Sequence, residues 1–238
     1  MAEKTYRQEI KRLLSPAQRL LLEQRIGAVL SLDSHSGAER NYLVRSVYFD
    51  TVADRAYTEK EAGISDREKI RIRFYNYQDK LILLERKEKR GRLIHKDSLP
   101  ITRETADALL CNDYSPLTAY NSPLGNYIYG LAHSEGLHPT VTVDYTRTAY
   151  VYPAGDVRIT FDSALQAGRP DKQIWMPGGC AAVLLEYTIL EIKFNQYLPE
   201  HIRHLLNSVT SQQEALSKYV LCRSHLLSKQ GDYLGGKQ

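Results

Sequence analysis

The sequence predicts a closed β-sheet with a charged interior, covered on its outside by amphipathic helices. The first observation is the segment 69–74, where basic residues at 69, 71 and 73 alternate with apolar residues at 70, 72 and 74. Because successive side chains of a strand point to opposite faces, this strand has one basic and one apolar face. The second observation is that a similar alternation recurs at 7–11, 85–89, 158–162 and 191–194. One such strand is an ordinary solvent-facing edge, but five predict a sheet that encloses its charges, and such a pore suits a polyanion.

The composition indicates one globular domain spanning residues 1–238. The chain has 238 residues, of which 42% are hydrophobic and 25% charged, and these values are ordinary for a globular domain. Its net charge of +4 argues against a protein that coats nucleic acid, although it is compatible with a local basic cavity. Tyrosine is frequent, with 17 residues, and it suits positions that are apolar along the ring and wet at the hydroxyl.

The cysteines and the absence of targeting signals lead us to expect a cytoplasmic location. The three cysteines lie far apart and form no CxxC pair, which favours free thiols in a reducing compartment over a disulfide framework or a zinc site. The segment Met1–Arg7 has no apolar run, so we expect no signal peptide. The longest apolar stretch, near Ala181–Leu185, is far shorter than the roughly 20 residues that span a bilayer, so no transmembrane segment is expected.

Taken in order, the periodicity predicts about eight strands and several helices. The strands are expected near residues 5–13, 42–50, 67–75, 80–89, 94–100, 140–150, 156–162 and 184–194. A helix begins at Ser15 and Pro16, because serine suits the cap and proline the first helical position. Further helices are expected at 102–110, 199–209 and 212–227, where apolar residues recur at spacings of three and four. Residues 112–138 are expected to mix turns with a short helix, and 169–179 to form a mobile loop, since both are rich in Pro and Gly.

Assigning charges by alternation gives a provisional set of side chains that line the interior. Its basic members are Arg7, Lys11, Lys69, Arg71, Arg73, Lys87, Lys89, Lys96, Arg147, Arg158 and Lys193. Its acidic members are Glu9, Asp50, Glu85, Asp162 and Glu191. Burying unpaired charge costs several kcal/mol per ion, so the cationic excess must be met by water, by a bound anion, or by both. Phosphate chains fit best, because Arg offers bidentate geometry and Lys a compact charge, while one or two carboxylates could hold Mg²⁺ or Mn²⁺.

A simpler interpretation of each strand is a surface ion pair, which is worth about 0–1 kcal/mol. It explains any one strand, and only the repetition, with apolar residues on the opposite faces, disfavours it for the set. The basic run 86–92 resembles a nucleic-acid patch, but its alternate members divide between lumen and solvent, so no nucleic-acid partner is expected. His201 and His204 are spaced like metal ligands on a helix, yet they have no third ligand of suitable spacing.

Six segments occur together in a specific order, although each alone is a weak signal. They are Ser46–Thr51, Arg67–Arg73, Leu84–Lys89, Arg158–Asp162, Leu190–Phe194 and Ser217–Tyr219. In this order they resemble the VTC domain, the polyphosphate polymerase domain of the vacuolar transporter chaperone family, within the triphosphate tunnel metalloenzymes. The resemblance covers nearly the whole chain, from Tyr6 to Tyr219.

The resemblance implies an α+β fold, an eight-stranded antiparallel β tunnel with a basic lumen and amphipathic helices packed outside. It implies metal-dependent phosphoryl transfer from ATP to a polyphosphate chain, with Mn²⁺ or Mg²⁺ as cofactor and ATP, triphosphate or polyphosphate as ligands. It carries phosphate contacts and catalytic roles over to Lys11, Arg71, Arg73, Lys87, Arg147, Arg158 and Lys218. It makes Glu191 a metal ligand, with Glu9 as a second candidate. Candidates for substrate binding that match by face rather than by motif are Arg7, Lys69, Lys89, Lys96 and Lys193.

Two departures from the family pattern bear on the activity. Segment 7–11 has one glutamate before its lysine, where relatives that hydrolyse organic triphosphates tend to have two, and this favours the VTC branch. Ala215 stands where a second basic residue is expected, one turn before Lys218. The alternatives to a polymerase are a tripolyphosphatase or nucleoside triphosphatase on the same scaffold, and a non-catalytic module that binds polyphosphate. The eukaryotic complexes carry membrane and inositol-phosphate-sensing parts, so any membrane coupling of this chain would need a separate partner.

Overall fold

Ten strands build one antiparallel sheet in the computed structural model, which describes residues 7–37, 39–91, 93–209, 211 and 213–235. The strands are β1 (Gln8–Leu14), β2 (Ser31–Leu32), β3 (Tyr42–Asp50), β4 (Arg67–Tyr75), β5 (Gln78–Arg90), β6 (Leu93–Ile101), β7 (His138–Tyr152), β8 (Val157–Gly168), β9 (Cys180–Leu184) and β10 (Thr188–Phe194). Their order in the sheet is β1-β10-β8-β7-β3-β4-β5-β6, with β2 paired to β7 and β9 to β8. Arg7 and Ile94 exchange backbone hydrogen bonds of 3.1 and 3.2 Å, so the sheet curls until its two edges meet at one point.

Six α-helices accompany this sheet within the described residues. They are α1 (Pro16–Gly27), α2 (Arg55–Glu61), α3 (Arg103–Leu110), α4 (Pro123–Glu135), α5 (Glu200–Asn207) and α6 (Lys218–Gly235). Helix α1 begins as predicted, because Ser15 and Gln18 satisfy each other's backbone N–H groups and Pro16 occupies the first turn. Among the described residues, no helix combines the length and the apolar composition that crossing a bilayer requires. The predicted fold class, α+β around a curled antiparallel sheet, is confirmed.

The alternation in β4 divides its side chains between the two faces of the sheet. Ile70, Ile72 and Phe74 are buried on the convex face, in an apolar cluster with residues of α3 and α4. A second convex cluster joins Leu22 and Ile26 of α1 to strands β8 and β10 and to α5. The basic members of β4 are thereby left on the concave face, which encloses the lumen.

Helix α6 packs on the concave face of the sheet. Tyr219, Val220 and Cys222 lie in an apolar cluster with Tyr48 of β3 and Val141 of β7. The strand register places Tyr48 opposite both Val141 and Arg71, so this cluster shares a face with the basic residues of β4. The first turn of α6 therefore reaches into the lumen.

Two segments differ from the sequence-based expectation. The helix predicted from residue 212, which lies outside the described residues, begins only at Lys218. Before it, the Glu214 N–H donates to the Lys11 carbonyl at 3.0 Å, because β1 is an edge strand with unpaired backbone groups. The predicted loop 169–179 contains a 3-10 helix, Lys172–Trp175, and leads into β9. It is held in place because Arg45 donates to the carbonyls of Ile174 at 2.6 Å and Met176 at 2.8 Å.

Candidate functional site

Glu191 of β10 contacts four basic side chains on the concave face. Its carboxylate oxygens lie 2.8 Å from Lys218 Nζ, 3.3 Å from Lys193 Nζ, 3.4 Å from Lys11 Nζ and 3.7 Å from the Arg147 guanidinium. Burial opposes ionisation of this carboxyl group, but the cations, Lys218 foremost, outweigh burial and hold the pKa of Glu191 well below its usual range. Glu191 therefore joins β1, β7, β10 and α6 through a carboxylate that is charged at neutral pH.

Asp162 of β8 forms the second buried centre, at 2% exposure. It accepts two hydrogen bonds from the Arg147 guanidinium, both at 2.7 Å, and Lys218 Nζ lies 2.6 Å away. Burial opposes its ionisation, but Arg147 and then Lys218 lower the pKa of Asp162. In return, and against the effect of burial, the carboxylates of Asp162 and Glu191 raise the pKa of Lys218. The first residue of α6 is thus fixed between two strands.

Glu9 of β1, one edge of the curled sheet, contacts β5, the strand next to the opposite edge. Its carboxylate accepts hydrogen bonds of 2.8 and 3.0 Å from Lys87 Nζ of β5 and lies 3.2 Å from Lys11 Nζ. Burial opposes ionisation, yet Lys87 and Lys11 hold the pKa of Glu9 well below its usual range. For Lys87 the balance is the opposite, because burial outweighs the attraction of Glu9 and lowers the pKa of Lys87 to about 8.

Glu85 of β5 is the corresponding carboxylate among the basic residues of β4, β5 and β6. It accepts hydrogen bonds from Arg71 at 2.8 Å, from Lys96 at 3.0 Å, and from Arg73. The second donor group of Arg71 reaches the Tyr48 hydroxyl at 2.9 Å. Burial opposes ionisation of Glu85, but Arg71 and Arg73 hold its pKa well below the usual range. The single carboxylate of Glu85 therefore accepts hydrogen bonds from three cationic side chains.

Lys69 of β4 has no carboxylate partner among the described residues. Its Nζ donates to the Ser217 hydroxyl at 2.5 Å and lies 5.3 Å from the centre of the Tyr219 ring. Burial, followed by repulsion from Lys11 and Lys87, lowers the pKa of Lys69 well below its usual range. This lysine is held among like charges with only a hydroxyl and a ring to offset them.

The contacts on the concave face amount to an excess of positive charge. Four carboxylates, those of Glu9, Glu85, Asp162 and Glu191, are shared by Lys11, Arg71, Arg73, Lys87, Lys96, Arg147, Lys193 and Lys218. We call these residues, together with Lys69, the lumen cluster. Such an arrangement can bind an anion with several oxygens, because each oxygen can accept charge-assisted hydrogen bonds from two or more cations.

Most of the sequence-predicted site residues meet in the lumen cluster. Those that the structure brings together are Glu9, Lys11, Lys69, Arg71, Arg73, Lys87, Lys96, Arg147, Glu191, Lys193 and Lys218. Arg158 also faces the lumen side of β8, opposite Lys193 of β10. Its guanidinium lies 2.6 Å from Asp33 and 3.1 Å from the Tyr42 hydroxyl, so it is bound by partners outside the cluster.

Two predicted substrate-binding residues, Arg7 and Lys89, lie apart from the lumen cluster. The Arg7 guanidinium lies 2.6 Å from Asp156, and the two side chains are 46% and 53% exposed. Lys89 Nζ donates to the backbone carbonyl of Gly91 at the turn between β5 and β6. Both side chains sit where the strand pattern ends, and alternation alone does not distinguish the end of a strand from its middle.

Asp50 and the lumen tyrosines take roles that the strand pattern did not reveal. Asp50 was expected to line the lumen as an acid, but it accepts hydrogen bonds from the N–H groups of Ala56 and Tyr57 at the start of α2. It also accepts one from the Tyr219 hydroxyl at 2.6 Å.

Tyr145 lies beneath two cations of the cluster, Arg147 at 5.2 Å and Lys218 at 4.9 Å from its ring centre. The high tyrosine count was the only sequence signal for this role.

The carboxylates of Glu9 and Glu191 are the donors to consider for a metal ion. Among the described residues, no group of three or more His, Cys, Asp or Glu side chains is clustered as metal ligands. Glu9 and Glu191 both lie against Lys11 Nζ, at 3.2 and 3.4 Å, so the protein already stabilises a cation between them. Because Mg²⁺ is usually held by one or two carboxylates together with phosphate oxygens and water, this donor set fits an ion shared with substrate rather than an all-protein cage.

Comparison with known proteins identifies the family. The family model of the VTC domain matches residues 6–227, so the chain belongs to the VTC domain family, as its motifs predicted. A candidate adenylyl cyclase from Hippeastrum, described with a dominant triphosphatase activity, superposes with a TM-score of 0.57 at 18% identity, covering 93% of this chain and 96% of its own. A candidate adenylate cyclase from Bacillus halodurans superposes with a TM-score of 0.51 at 15% identity, covering 90% and 95%. At these identities the two structures show a shared fold only. By sequence, no curated protein gives a significant match.

Proposed function

We propose that this VTC domain is a polyphosphate polymerase, which transfers the terminal phosphoryl group of ATP to the end of a phosphate chain held in the lumen. The observation that carries the proposal is the shortage of carboxylates in the lumen cluster. Eight cations share four carboxylates, and Lys69 has no carboxylate partner in the part of the chain that the structure describes. A condensed phosphate would satisfy these cations along its whole length, because it repeats anionic oxygens at short intervals.

The reaction requires no covalent residue in this proposal. The bond between the γ-phosphorus of ATP and its bridging oxygen breaks, a terminal oxygen of the chain forms the new bond to phosphorus, and ADP leaves with the electron pair. Catalysis then depends on holding the two reactants in line and on neutralising the charge of the transferred group. Arg71 and Arg73 would hold phosphate oxygens through their guanidinium groups, which now share Glu85. Lys11 and Lys218, which meet at Glu191, would neutralise charge nearby.

Glu191 and Glu9 would hold the divalent ion, Mg²⁺ or Mn²⁺. When bound, such an ion neutralises phosphate oxygens as a Lewis acid. The chain's own cations would then be released from these carboxylates to contact phosphate. Lys11 is the clearest case, because its ammonium group lies between the two carboxylates.

The polymerase is tested by incubating the purified chain with ATP and Mn²⁺ and separating the products on a polyacrylamide gel. We expect a ladder of long-chain phosphate and stoichiometric ADP. Release of ADP without polymer would instead favour hydrolysis, the type of activity described for the Hippeastrum protein. Tight, salt-sensitive binding of polyphosphate without any turnover would favour a non-catalytic binding module.

The role of Glu191 gives a sharper test. The Glu191→Gln variant should lose polymer synthesis by at least about a hundredfold, because the divalent ion that Glu191 would hold supplies electrostatic stabilisation of the transferred group, and preorganised stabilisation of this kind is typically worth that much in rate. Its affinity for inorganic tripolyphosphate should stay equal or rise, since Lys11, Lys193 and Lys218 all lose a competing carboxylate. The matched control is Glu61→Gln, which removes an exposed carboxylate at the end of α2 and should change neither quantity. Retained synthesis in Glu191→Gln would exclude Glu191 as a metal ligand.

A further inference from the structure

Arg158 is held by partners outside the lumen cluster, although the family motif gives it a phosphate contact. Its Nη1 lies 2.6 Å from a carboxylate oxygen of Asp33, and its Nη2 donates to the Tyr42 hydroxyl at 3.1 Å. Within the described residues, Arg158 makes no other ion pair or side-chain hydrogen bond. Because a guanidinium group has five N–H donors, at least three remain after these two contacts.

Asp33 is fixed in a turn that follows strand β2. Its N–H donates to the Ala149 carbonyl of β7 at 2.9 Å. Its carboxylate caps the 3-10 turn Ser34–Ser36, accepting from the His35 N–H at 2.9 Å, and lies 2.7 Å from the ring nitrogen Nδ1 of His35. Asp33 is 6% exposed and burial opposes its ionisation, but hydrogen bonds from His35 and the charge of Arg158 lower the pKa of Asp33. The carboxylate is therefore a charged anchor whose position is set by the backbone.

The side chain of Arg158 crosses strand β7 to reach this anchor. Arg158 lies on β8, opposite Val151 of β7. Asp33 and Tyr42 lie beyond the other edge of β7, because β2 and β3 both pair with that edge. An extended arginine gives up much of its rotamer freedom, and the contacts at its far end offset this loss before any ligand binds. The guanidinium group is in this sense preorganised.

A phosphate chain can bind Arg158 without displacing Asp33. At Arg73 and Lys96, an incoming phosphate must compete with Glu85, which accepts hydrogen bonds from both side chains. Arg158 instead keeps at least three donors that its present partners do not use. The expected effect of Asp33 on ligand binding is therefore preorganisation rather than competition.

We propose that Asp33 is a positioning residue, which holds Arg158 extended across β7 so that the remaining donors of this arginine are available to the phosphate chain in the lumen. The proposal rests on the proposed function, in which that chain is the ligand. It adds to the site a residue that lies in a turn, outside every strand and every family motif from which site residues were predicted.

The test is calorimetric titration of the full chain with inorganic tripolyphosphate, combined in a double-mutant cycle of Asp33 and Arg158. Asp33→Asn removes the charge but keeps a capping oxygen, because Asn and Asp cap helices about equally well. It should weaken binding about threefold to tenfold, the range expected when one long side chain has to be ordered on binding. In the Arg158→Met background, Asp33→Asn should change the affinity by less than about twofold, because its effect passes through Arg158.

Two further variants separate this role from a structural one. Asp33→Glu keeps the negative charge in the same turn, so it should bind tripolyphosphate more tightly than Asp33→Asn. The matched control is Asp171→Asn. Asp171 caps the 3-10 helix Lys172–Trp175 in the same way, accepting from the Gln173 N–H at 2.8 Å, but it forms no ion pair among the described residues. The control should change the affinity by less than about twofold, because the exposed charge of Asp171 is screened by salt.

The possible results separate the two proposals. Tighter binding in Asp33→Asn would show that Asp33 competes with the ligand for Arg158, and an equal loss in both backgrounds would show that its effect does not pass through Arg158. Either result overturns the positioning role. If Asp33→Asn does not fold, Asp33→Ser, which also keeps a capping oxygen, carries the same cycle.

The positioning role and the polymerase can also fail independently. A wild type that shows the coupling between Asp33 and Arg158 but makes no polymer from ATP overturns the proposed function and leaves the role of Asp33 standing. An active polymerase in which Asp33→Asn binds tripolyphosphate as tightly as the wild type excludes that role.

Discussion

The two walls of the lumen are built alike but differ in how their charges balance. The first wall, formed by β1, β8 and β10, carries three carboxylates, Glu9, Asp162 and Glu191, and three cations, Lys11, Arg158 and Lys193. The second wall, formed by β4, β5 and β6, carries Lys69, Arg71, Arg73, Lys87 and Lys96 against the carboxylate of Glu85. Both follow the same alternation, with apolar residues packed outward under helices. The strand pattern therefore determines which side chains face the lumen. The choice of acid or base at each of these positions determines whether the wall is stabilised by its own ion pairs or attracts an anion.

The shifted pKa values follow the same division. On the first wall, burial disfavours the charged carboxyl groups, but the surrounding cations win and lower the pKa of Glu191 and of Asp162. On the second wall, burial and neighbouring cations act in the same direction on Lys69 and lower its pKa. The first wall is therefore internally compensated and supports stability. The second wall keeps an excess of positive charge and is suited to binding an anion.

The largest effect expected from this comparison is the loss of stability in Asp162→Asn. Removing one partner of a buried ion pair costs about 3–5 kcal/mol, because the remaining charges are left unpaired. Here the remaining charges are Arg147, at 2.7 Å, and Lys218, at 2.6 Å, and Lys218 keeps Glu191 as a partner, so the lower end of that range is expected. Urea unfolding followed by circular dichroism measures the change. The control is Asp156→Asn, which removes an exposed partner of Arg7 and should cost no more than about 1 kcal/mol.

A small change in the free energy of unfolding of Asp162→Asn, comparable with that of Asp156→Asn, would contradict the proposed difference between the two walls. It would mean that water reaches the first wall freely enough to replace the lost carboxylate. The first wall would then be as open as the second, and internal compensation would not be its role.

The sequence predicted the faces of these strands better than it predicted the contacts between them. Alternation placed Arg71 and Arg73 in the lumen because the period of a strand is a local property. The pairing of Glu9 with Lys87 depends on how the sheet curls until β1 approaches β5, a long-range outcome that no local pattern encodes. Asp33 has no strand alternation to mark it, although it pairs with Arg158 at 2.6 Å.

The packing of α6 against the lumen also could not be predicted from local sequence patterns. The apolar spacing of 212–227 predicted a helix packed outside, and the same spacing suits a helix packed on the concave face. Lys218 entered the set of candidate residues through the family motif rather than through its position in the fold. Its two carboxylate partners, on β8 and β10, become visible only when the helix is seen to start inside the lumen.

The pH dependence of stability should distinguish the two walls by the direction of each change. Carboxylates whose pKa is lowered on folding stabilise the protein above their unfolded pKa, near 4, and this contribution is lost as the pH falls through the folded value. The pKa of Lys87 falls from its usual value to about 8 on folding, so the unfolded chain binds more protons above that pH. Lys87 should therefore add stability between about pH 8 and pH 10, whereas the thiols of Cys180 and Cys222, whose pKa values are raised by burial, act in the opposite direction over the same range.

Thermal melts across the pH range measure the change in stability in acid and the change in alkali. The melting temperature of the wild type should fall in acid. Between about pH 8 and pH 10 the melting temperature of Lys87→Met should fall relative to that of the wild type, because the variant lacks the contribution of this lysine, which grows with pH. The loss of stability in acid should remain in the variant, because Glu9 keeps Lys11 as a partner at 3.2 Å. A constant difference between the two proteins across the alkaline range would show that folding does not lower the pKa of Lys87.

The smallest effect is expected for Arg7→Met, which tests where the walls end. Arg7 was predicted to bind substrate because it shares a strand face with Glu9 and Lys11. Its backbone joins the sheet edges at Ile94, but its guanidinium pairs with Asp156, and the Arg7 side chain is 46% exposed. An exposed pair of this kind is worth about 0–1 kcal/mol, so tripolyphosphate affinity should change by less than about threefold, and the difference should vanish at high salt. A loss of about tenfold or more, the size expected for a charge-assisted phosphate contact, would mean that Arg7 leaves Asp156 and turns inward when the ligand binds. The first wall would then contribute a mobile cation to binding, and the division of roles between the two walls would hold only for the ligand-free protein.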